Sequence, residues 1–548
     1  MPPLLDSKLR FSPYLTLFFL CLLAHGFLLL NNGSYNDGLL FAYYQQTDFE
    51  LLRMQVNEAG RPLYYYYHNA LTVFPDFVFA HKAAALIGIF IVAFSSFTLL
   101  KNRTPFSPQE ALTITLISSL WPFYTILTSI VILPHIISLA LFYTGWLIYT
   151  QKHRWYWRVL ALVMIVLSFF HDELLIYHYA ITFLFFLIEY RPGNRGVFVR
   201  SALTFVTKHL SLCLIPILFF VAKHLFFSPY GIAKGYNAIV FADGAPFLKT
   251  LGYCLDHFLR SIVREMQPLE GAVLYLLLFL PVTIPLAWYF YTRPVRHEPA
   301  ASRRMTIVTG FFLLAASVLG YVLAAKTPHL ISYSARHGLV ASLGAAMLVY
   351  GLFNLNSHRM VAGLLMAGLV LTDIGFYLSW QARWAQEEAF VQHLKQIPPP
   401  KDISLFILHN NLNAGVDPIY HTSDATIFVA RAWGEEKWAV VPDFMLRNMG
   451  EREAAILFIK NNAANPDLAR RVGLSKFDTE GCWAELTLSP VGKPYRKILG
   501  FPGPDEMLTG IEYTYDRFFR PQNMRDLLDH LLEVTITPLH INAKGAPC

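Results

Sequence analysis

The stretch Val159–Ile188, VLALVMIVLSFFHDELLIYHYAITFLFFLI, decides the fold of this chain. It is almost wholly apolar, as a segment inside a lipid bilayer must be, except for His171, Asp172 and Glu173 near its centre. On insertion scales each carboxylate would cost about 2.5–3.5 kcal/mol at the centre of a membrane helix. Ionisable groups survive at that depth where they face water, protein or a ligand, so these three residues are functional candidates.

The composition of the whole chain is that of a polytopic membrane protein. Of its 548 residues, 55% are hydrophobic, and the mean hydropathy of +0.41 is too high for a soluble enzyme. The net charge of +7 comes from short cationic clusters between apolar segments. The positive-inside rule of membrane topology explains these clusters, so no nucleic acid is expected as a partner. The five cysteines form no CxxC pair, and neither a disulfide framework nor a zinc site is expected.

Eleven segments are long and apolar enough to be predicted as membrane spans, because about 20 apolar residues cross about 30 Å of hydrocarbon. They are Phe11–Leu30, Phe79–Leu100, Ala111–Leu127, Ile130–Tyr149, Trp157–Phe170, Leu174–Ile188, Thr204–Phe227, Ala272–Tyr291, Thr306–Ala325, Gly338–Phe353 and Met360–Leu378.

The positive charges between these spans test the count. In an eleven-span arrangement they all fall on one side, which the positive-inside rule makes cytoplasmic. One helix over Val159–Ile188, about 45 Å long, would place the cations near Arg154 and those near Arg195 on opposite sides. A hairpin places both groups inside, so we predict a hairpin with the three polar residues at its outward tip.

The arms of this hairpin are short. Val159–Phe170 would reach only about 18 Å as a helix, so either the arm begins earlier, at Trp155, or the tip lies below the outer interface. Non-helical backbone at that depth is tolerated only beside protein or a water-filled cavity. We therefore expect an outward-open crevice with the acids at its floor.

The sequence divides into three regions. Residues 1–378 are expected to form an all-α transmembrane domain with outward loops at 31–78 and 228–271. Residues 379–400 are expected to form an interfacial helix and a proline linker. Residues 401–548 are polar enough for a small extracytoplasmic α+β domain. Its predicted strands are Ile403–Leu408, Thr426–Trp433 and Trp483–Leu488, and its predicted helices are Arg452–Asn462 and Met524–Val534.

Asp37 lies just beyond the first span, in the sequence Asn36-Asp37-Gly38. A carboxylate there could act as the general base on an acceptor hydroxyl. An Asn-Asp-Gly turn or a helix cap would explain it equally well. Its pairing with a second outward acidic cluster favours a functional role.

The acidic tip could bind a divalent metal, because carboxylates and imidazole suit manganese, magnesium or zinc. The candidate ligands are Asp172 and Glu173 together with His178 two turns later, and His171 and His135 could join them. No spacing here is diagnostic of a ligand set. The alternative is a hydrogen-bonded polar plug that holds the hairpin.

Three cations and an aromatic run are candidates for substrate binding. Arg336, followed by His337, could grip a phosphate or pyrophosphate by a bidentate fork, and Lys234 is a second phosphate candidate. Tyr66, in the run Tyr64–Tyr67, could stack on a sugar face or a prenyl chain. For the cations the alternative is that their side chains extend to the lipid headgroups. For the tyrosine run the alternative is an aromatic belt at the membrane interface.

Other features are less specific. Asp373 lies within the last predicted span, where a hydrogen bond to a neighbouring helix is the default for a lone polar group. The sequence has no GxGxxG, P-loop, HExxH or GxSxG in a usable context, so nucleotide-driven chemistry and the familiar hydrolase sites are not predicted.

The order of these features is similar to that of a known superfamily. A long outward loop with an early acid, Asp37, follows the first span, and paired short spans then carry a second acidic motif. A large outward loop, an outward Arg336 and an outward soluble domain come next. This layout resembles the GT-C superfamily of integral-membrane glycosyltransferases over roughly Phe11–Leu378, mostly as topology. The resemblance implies a polyprenyl-phosphate or polyprenyl-pyrophosphate sugar donor and an extracytoplasmic or lumenal site.

The resemblance also implies roles for individual residues. Asp37 would be the base or would orient the acceptor, and Asp172 and Glu173 would orient the acceptor or hold a manganese or magnesium ion where the subclass uses one. Arg336 and Lys234 would bind the donor phosphate. The lipid phosphate is a good leaving group, so positioning and charge stabilisation can suffice. The further candidates for substrate contact are His171, His337 and Tyr66.

Two other functions fit parts of the sequence. Intramembrane carboxylates also serve transporters and flippases, although the chain has no repeated half and an odd number of predicted spans. A non-catalytic membrane scaffold whose C-terminal domain binds a partner is the third hypothesis. The expected location is a bacterial inner membrane, with a cytoplasmic N-terminus and an extracytoplasmic C-terminal domain. The expected acceptor is a glycan, a lipid or a protein.

Overall fold

The structure is a computed structural model that describes most of the chain. The described residues are 12–35, 37–152, 154–190, 195–234, 280–281, 284–285, 288, 300–323, 333–412, 422–434, 437–442, 481–491 and 504–542. Within them, seven helices are long and apolar enough to cross a membrane, or up to nine when two bent helix pairs each count as one span.

The described part consists mainly of helices and ends in a small sheet. The helices are α1 (Pro13–His25), α2 (Phe27–Leu30), α3 (Asp37–Gln46), α4 (Glu50–Glu58), α5 (Leu63–Asn69), α6 (Phe77–Arg103), α7 (Pro108–Ser119), α8 (Leu133–Gln151), α9 (Trp155–Ser168), α10 (Glu173–Tyr190), α11 (Arg195–Lys208), α12 (Leu210–Phe226), α13 (Ala300–Leu323), α14 (Ser342–Leu352), α15 (Arg359–Gln396), α16 (Thr422–Trp433), α17 (Pro504–Phe519) and α18 (Met524–Asp529). The strands are β1 (Ile403–Asn410), β2 (Ala439–Pro442), β3 (Cys482–Pro490) and β4 (Leu532–Asn542), and 3-10 segments cover Pro122–Thr128, Ile130–Ile132, Gly231–Ala233, Tyr333–Ala341 and Pro521–Asn523.

These helices confirm the prediction of a polytopic helical membrane protein. Nine of the eleven predicted spans coincide with a candidate span or a bent pair, and the fifth coincides with the shorter helix α9. The eighth, Ala272–Tyr291, lies almost wholly outside the described residues. The total of eleven therefore stays a prediction.

The two bent pairs have local causes. α7 begins with a capping box, in which Ser107 accepts from the Glu110 amide, and is followed by the segment Pro122–Thr128 at an angle of 46°. A residue before proline is pushed out of the helical region, and Trp121 is extended there, with ψ 135°. α11 and α12 meet at 69° around His209, which is not helical.

The chain breaks within Val159–Ile188, as predicted. α9 ends at Ser168 and α10 begins at Glu173, with turn hydrogen bonds across the four residues between them. α9 begins at Trp155, so the arm is longer than its apolar core and reaches about 21 Å. It packs against α8, whereas α10 packs against α13. The two arms therefore pack against different helices, and the polar tip lies where the arms meet.

The C-terminal sheet has the order β2-β1-β3-β4. β1 is parallel to β2 and to β3, and β4 is antiparallel to β3. Parallel neighbours require a crossover connection, which is usually helical. This explains why Thr426–Trp433, predicted as a strand from its β-branched and aromatic residues, lies instead in helix α16 between β1 and β2.

The remaining predictions for this region have mixed outcomes. The strands predicted at Ile403–Leu408 and Trp483–Leu488 coincide with β1 and β3. The helix predicted over Met524–Val534 ends at Asp529, because Leu532 onwards pairs with β3. Arg452–Asn462 lies outside the described residues. Cys482 is disulfide-bonded, which the cysteine spacing did not predict.

Candidate functional site

A group of polar side chains meets around the turn between α9 and α10, and we call it the tip cluster. Its members come from the loop before α5, from α5 itself, the start of α8, the turn, and the ends of α12 and α13. The 3-10 segment Tyr333–Ala341 supplies the rest. The tip cluster consists of Arg61, Tyr64, His135, His171, Asp172, Glu173, Lys223, Tyr321, Arg336 and His337.

Asp172 lies between two cations. Its Oδ2 is 3.4 Å from Nη2 of Arg61, and its Oδ1 accepts from Nζ of Lys223. The Asp172 side chain is 28% exposed, against 10% for Arg61 and 14% for Lys223. Asp172 is therefore the more accessible acid of the tip, and the two cations hold its carboxyl group in place.

His171 and Glu173 form the buried half of the turn. His171 Nδ1 is 3.4 Å from Oε2 of Glu173, and the His171 ring meets that of His135 edge-on at 4.7 Å. Burial lowers the pKa of His171, against the opposing effect of the Glu173 charge. A neutral imidazole is the form that can both donate and accept a hydrogen bond.

Arg336 and His337 join the same cluster, as the sequence suggested. The His337 ring packs on Tyr321 at 4.5 Å. The Arg336 charge acts on both His135 and Tyr321, as does that of Arg61. These contacts bring the late 3-10 segment to the hairpin tip, although more than 160 positions separate them in sequence.

Tyr64, not Tyr66, is the aromatic member of the site. The Tyr64 hydroxyl donates to the Phe170 carbonyl at 3.4 Å, and the Arg61 guanidinium lies 5.5 Å from the centre of the Tyr64 ring. Burial raises the pKa of Tyr64, so its phenol stays protonated. Tyr66 is 62% exposed and packs edge-on against Tyr65.

Asp37 is the first residue of α3, next to the segment that leads into α8. A Cβ on Gly38 would lie 3.1 Å from Ile130, and Ser129 Oγ donates to the Tyr35 carbonyl at 2.8 Å. Ile130 lies five residues before His135. The neighbour of Asp37 thus contacts the segment that leads to His135, and the role of Asp37 as a base stays a prediction.

The loop before Asp37 is fixed by a buried cation. Lys82, on α6, is fully buried and donates to the carbonyls of Asn31 and Gly33 at 2.8 and 2.6 Å. The Tyr35 hydroxyl then donates to the Trp380 carbonyl at 2.6 Å. An exposed loop would not hold Asp37 in place in this way.

Two predicted site residues lie elsewhere. Lys234 is exposed and follows the segment Gly231–Ala233, whose glycine packs on Glu58. His178 is fully buried, and its Nε2 lies 3.0 Å from the Leu212 carbonyl, to which it donates. Aromatic rings of Phe142, Trp146 and Phe169 surround His178.

The metal-ligand set Asp172, Glu173 and His178 is not assembled. His178 faces Leu212, and Asp172 faces two cations. The part of the chain that the structure describes contains no group of three or more His, Cys, Asp or Glu side chains arranged to hold a metal ion.

Several polar atoms of the tip cluster have no hydrogen-bond partner among the described residues. They are Nδ1 of His135, Nε2 of His171, Oε2 of Glu173 and the hydroxyl of Tyr321. Buried polar atoms in proteins are almost always paired. Their convergence at one place indicates a site for a polar ligand.

Three helices that carry tip-cluster residues, α8, α10 and α13, also line an apolar cavity together with α6 and α14. The cavity has a volume of about 540 Å³. Trp146, at its wall, is eleven residues beyond His135 on α8, which corresponds to about 16 Å. Between the two, the hydroxyls of Tyr143 and Tyr177 are 3.1 Å apart. The cavity therefore lies towards the ends of these three helices away from the tip cluster.

Arg61, Lys223 and Tyr321 were not singled out from the sequence, and Tyr64 was named only as part of the run Tyr64–Tyr67. Lys223 interrupts the apolar run Leu210–Phe227, so the cost argument that identified Asp172 could have found it. Arg61 lies in a loop without such a signal.

No protein-family model, curated protein or solved structure matches this chain.

Proposed function

We propose that this protein is a membrane glycosyltransferase that moves a sugar from a polyprenyl-phosphate-linked donor to an extracytoplasmic acceptor. The observation that carries the proposal is the tip cluster. It combines two acids, two arginines, a lysine and several buried polar atoms without a hydrogen-bond partner among the described residues, next to membrane helices.

The cations suit the phosphate of the donor. Arg61, Lys223 and Arg336 outnumber the two carboxylates, so the cluster has an excess of positive charge. Guanidinium groups bind phosphate oxygens through paired hydrogen bonds. They would stabilise the negative charge that grows on the phosphate as it leaves.

The acids suit the acceptor. In the proposed reaction an acceptor hydroxyl attacks the anomeric carbon, the bond to the phosphate oxygen breaks, and polyprenyl phosphate leaves with the electron pair. The hydroxyl proton passes to a carboxylate, either Glu173 beside His171 or Asp37. Asp172, held by two cations, would orient the acceptor.

Two observations bear on the donor and on its side. The apolar cavity lies towards the ends of α8, α10 and α13 away from the tip cluster, so it suits the hydrocarbon part of a lipid without indicating a side, and it has the size of a small-molecule pocket. Cys482, in the sheet domain, is disulfide-bonded, and disulfides persist in oxidising compartments such as the periplasm.

The proposal is tested with purified protein in lipid nanodiscs and a panel of lipid-linked sugars. Sugar transfer and free polyprenyl phosphate are measured for wild type and for Asp37→Asn, Asp172→Asn and Glu173→Gln. We expect at least one donor to be turned over by wild type and loss of turnover in the Asp172 and Glu173 variants. Full turnover by all three variants would overturn the proposal.

A transporter or flippase is the second candidate, and a buried pair of titratable side chains favours it. His25 Nε2 is 3.8 Å from Asp373 Oδ2, and both side chains are fully buried within candidate spans. Such pairs occur in proton relays. If Asp373→Asn abolishes lipid or ion movement in liposomes while Glu173→Gln does not, the second candidate replaces the first.

A further inference from the structure

Helix α17 has an apolar stripe on its exposed side, whereas its buried side holds Met507 and Tyr513 together with two acids. Glu506 and Asp516 are buried, at 1% and 7% exposure, and the Ser379 hydroxyl donates to Glu506. The exposed side carries a continuous stripe at helical spacing, as expected for a face that covers an apolar surface. The stripe consists of Leu508, Ile511, Tyr515, Phe518 and Phe519, which are 38–72% exposed.

The position of α17 identifies what covers this stripe. Gly510 lies against the Leu378 carbonyl so closely that an added Cβ would be 2.1 Å from it. Arg517 donates to the Leu30 carbonyl at 3.4 Å. Leu30 is the last residue of the first candidate span. α17 therefore lies beside a span end, at the level where hydrocarbon gives way to headgroups.

Two arginines at the C-terminal end of α17 and just beyond it fit the same level, whereas the exposed acids Asp505 and Glu512 lie nearer the start of the helix and at the edge of the stripe. The Arg517 guanidinium lies 5.2 Å from the ring centre of Phe518, and that of Arg520 lies 5.2 Å from the ring centre of Tyr515. Aromatic rings with adjacent cations are typical of membrane interfaces. The arginines complement the negative phosphates of lipid headgroups.

We infer that α17 is an interfacial membrane helix whose stripe is buried in the bilayer leaflet that meets Leu30. A bilayer accounts for the stripe, the span end and the arginines together, and the membrane already surrounds the neighbouring spans. The domain at the C-terminal end is then anchored to the lipid surface by its own helix. This inference does not depend on the proposed enzymatic activity.

The test uses full-length protein in phospholipid nanodiscs, with a fluorescent non-natural aromatic residue in place of Phe519 or Leu508. We expect its fluorescence to be lost in lipids brominated near the glycerol end of the chain and to be retained with aqueous iodide. Tyr513, buried on the other face of the same helix, is the matched aromatic position and should respond to neither quencher. Glu533, exposed on β4, should respond to iodide alone.

Two results would overturn the inference. Quenching of the probe at Phe519 by iodide would show that the stripe faces water. Insensitivity of both stripe positions to both quenchers would show that protein covers it, as a second copy of this chain or another partner would. Unchanged elution of each labelled protein on size exclusion confirms that the label leaves the fold intact.

Discussion

Asp172 owes its orientation to two cations that approach it from different elements, Arg61 before α5 and Lys223 on α12. A carboxylate held in this way cannot rotate freely. Guanidinium and ammonium groups are also the groups that bind phosphate. In the proposed reaction Arg61 and Lys223 would therefore both fix the acid and stabilise the leaving phosphate.

The charge at Lys223 can be tested against a matched lysine. We expect Lys223→Gln to lower the turnover number by about 10²–10³-fold, because one group that stabilises the leaving phosphate is lost. Lys234→Gln, eleven residues later and exposed, should keep the wild-type rate. Equal rates for the two variants, measured with the same lipid-linked donor, would remove Lys223 from the site.

Buried imidazoles make stability depend on pH. Burial lowers the pKa of His171 and of His68 below the ordinary value of 6.5, so the unfolded chain takes up these protons more readily than the folded protein. The stability is therefore complete above pH 6.5 and is lost as the pH falls below it. Each ring contributes a slope of at most about 1.4 kcal/mol per pH unit.

This pH dependence is measured as the midpoint of thermal unfolding between pH 5 and pH 8. His171→Asn and His68→Asn should each flatten the decline on the acidic side. His530→Asn, at an exposed position just after α18, serves as the control and should retain the wild-type profile. An unchanged profile in both buried-site variants would contradict the assignment of neutral rings.

At the scale of elements, the structure depends on helix breaks and on close contacts between helices. The breaks at Trp121-Pro122 and at Phe169–Asp172 put irregular backbone within the bundle, where its N–H and C=O groups need hydrogen-bond partners from neighbouring protein. Lys82 donates such hydrogen bonds to the carbonyls of another irregular stretch, the loop before Asp37. These stretches are where the candidate site is built.

Removal of the Lys82 ammonium should destabilise the fold. Lys82→Met leaves the Asn31 and Gly33 carbonyls buried without donors, at a cost of about 1–3 kcal/mol for each. Lys101→Met, exposed at the other end of α6, is the matched control and should change the unfolding midpoint little. If both variants unfold at the same temperature, Lys82 does not hold the loop.

The contact between α17 and α15 can be tested with two glycines. Gly510→Ala should destabilise the protein by about 1–3 kcal/mol, since its Cβ would overlap the Leu378 carbonyl. Gly368→Ala, within α15, meets nothing within 4 Å and should be neutral or stabilising by up to about 1 kcal/mol. Thermal unfolding compares them, and similar shifts for the two variants would place α17 elsewhere.

At the scale of the whole molecule, hydropathy and charge were enough to predict most of the helices, because a bilayer imposes span length directly on the sequence. The same reasoning found Asp172, since a charge in an apolar run has a known cost. It missed Arg61, because nothing local marks a loop cation that folds back onto a distant carboxylate. It also placed a strand at Thr426–Trp433, where the parallel pairing of β1 and β2 requires a helix.

The tip cluster and the apolar cavity lie towards opposite ends of α8, α10 and α13, so the described part of the molecule has a polar site at one level and a space suited to hydrocarbon at another. The proposed donor has the same two parts, a phosphate and a polyprenyl chain. The sheet domain contacts the membrane helices where α17 packs against α15, at Gly510 and Leu378. The acceptors that the purified protein uses would show whether the sheet domain contributes to the acceptor site.

The most direct measurement is the release of polyprenyl phosphate by purified protein in nanodiscs supplied with a lipid-linked sugar and an acceptor. Wild type and Glu58→Gln, altered at an acid outside the tip cluster, should release it at the same rate, whereas Asp172→Asn and Glu173→Gln should release it about 10²-fold more slowly or not at all. Release at the wild-type rate by both tip variants would contradict a glycosyltransferase site at His171-Asp172-Glu173. A lack of release by every protein, wild type included, with every donor would contradict it as well.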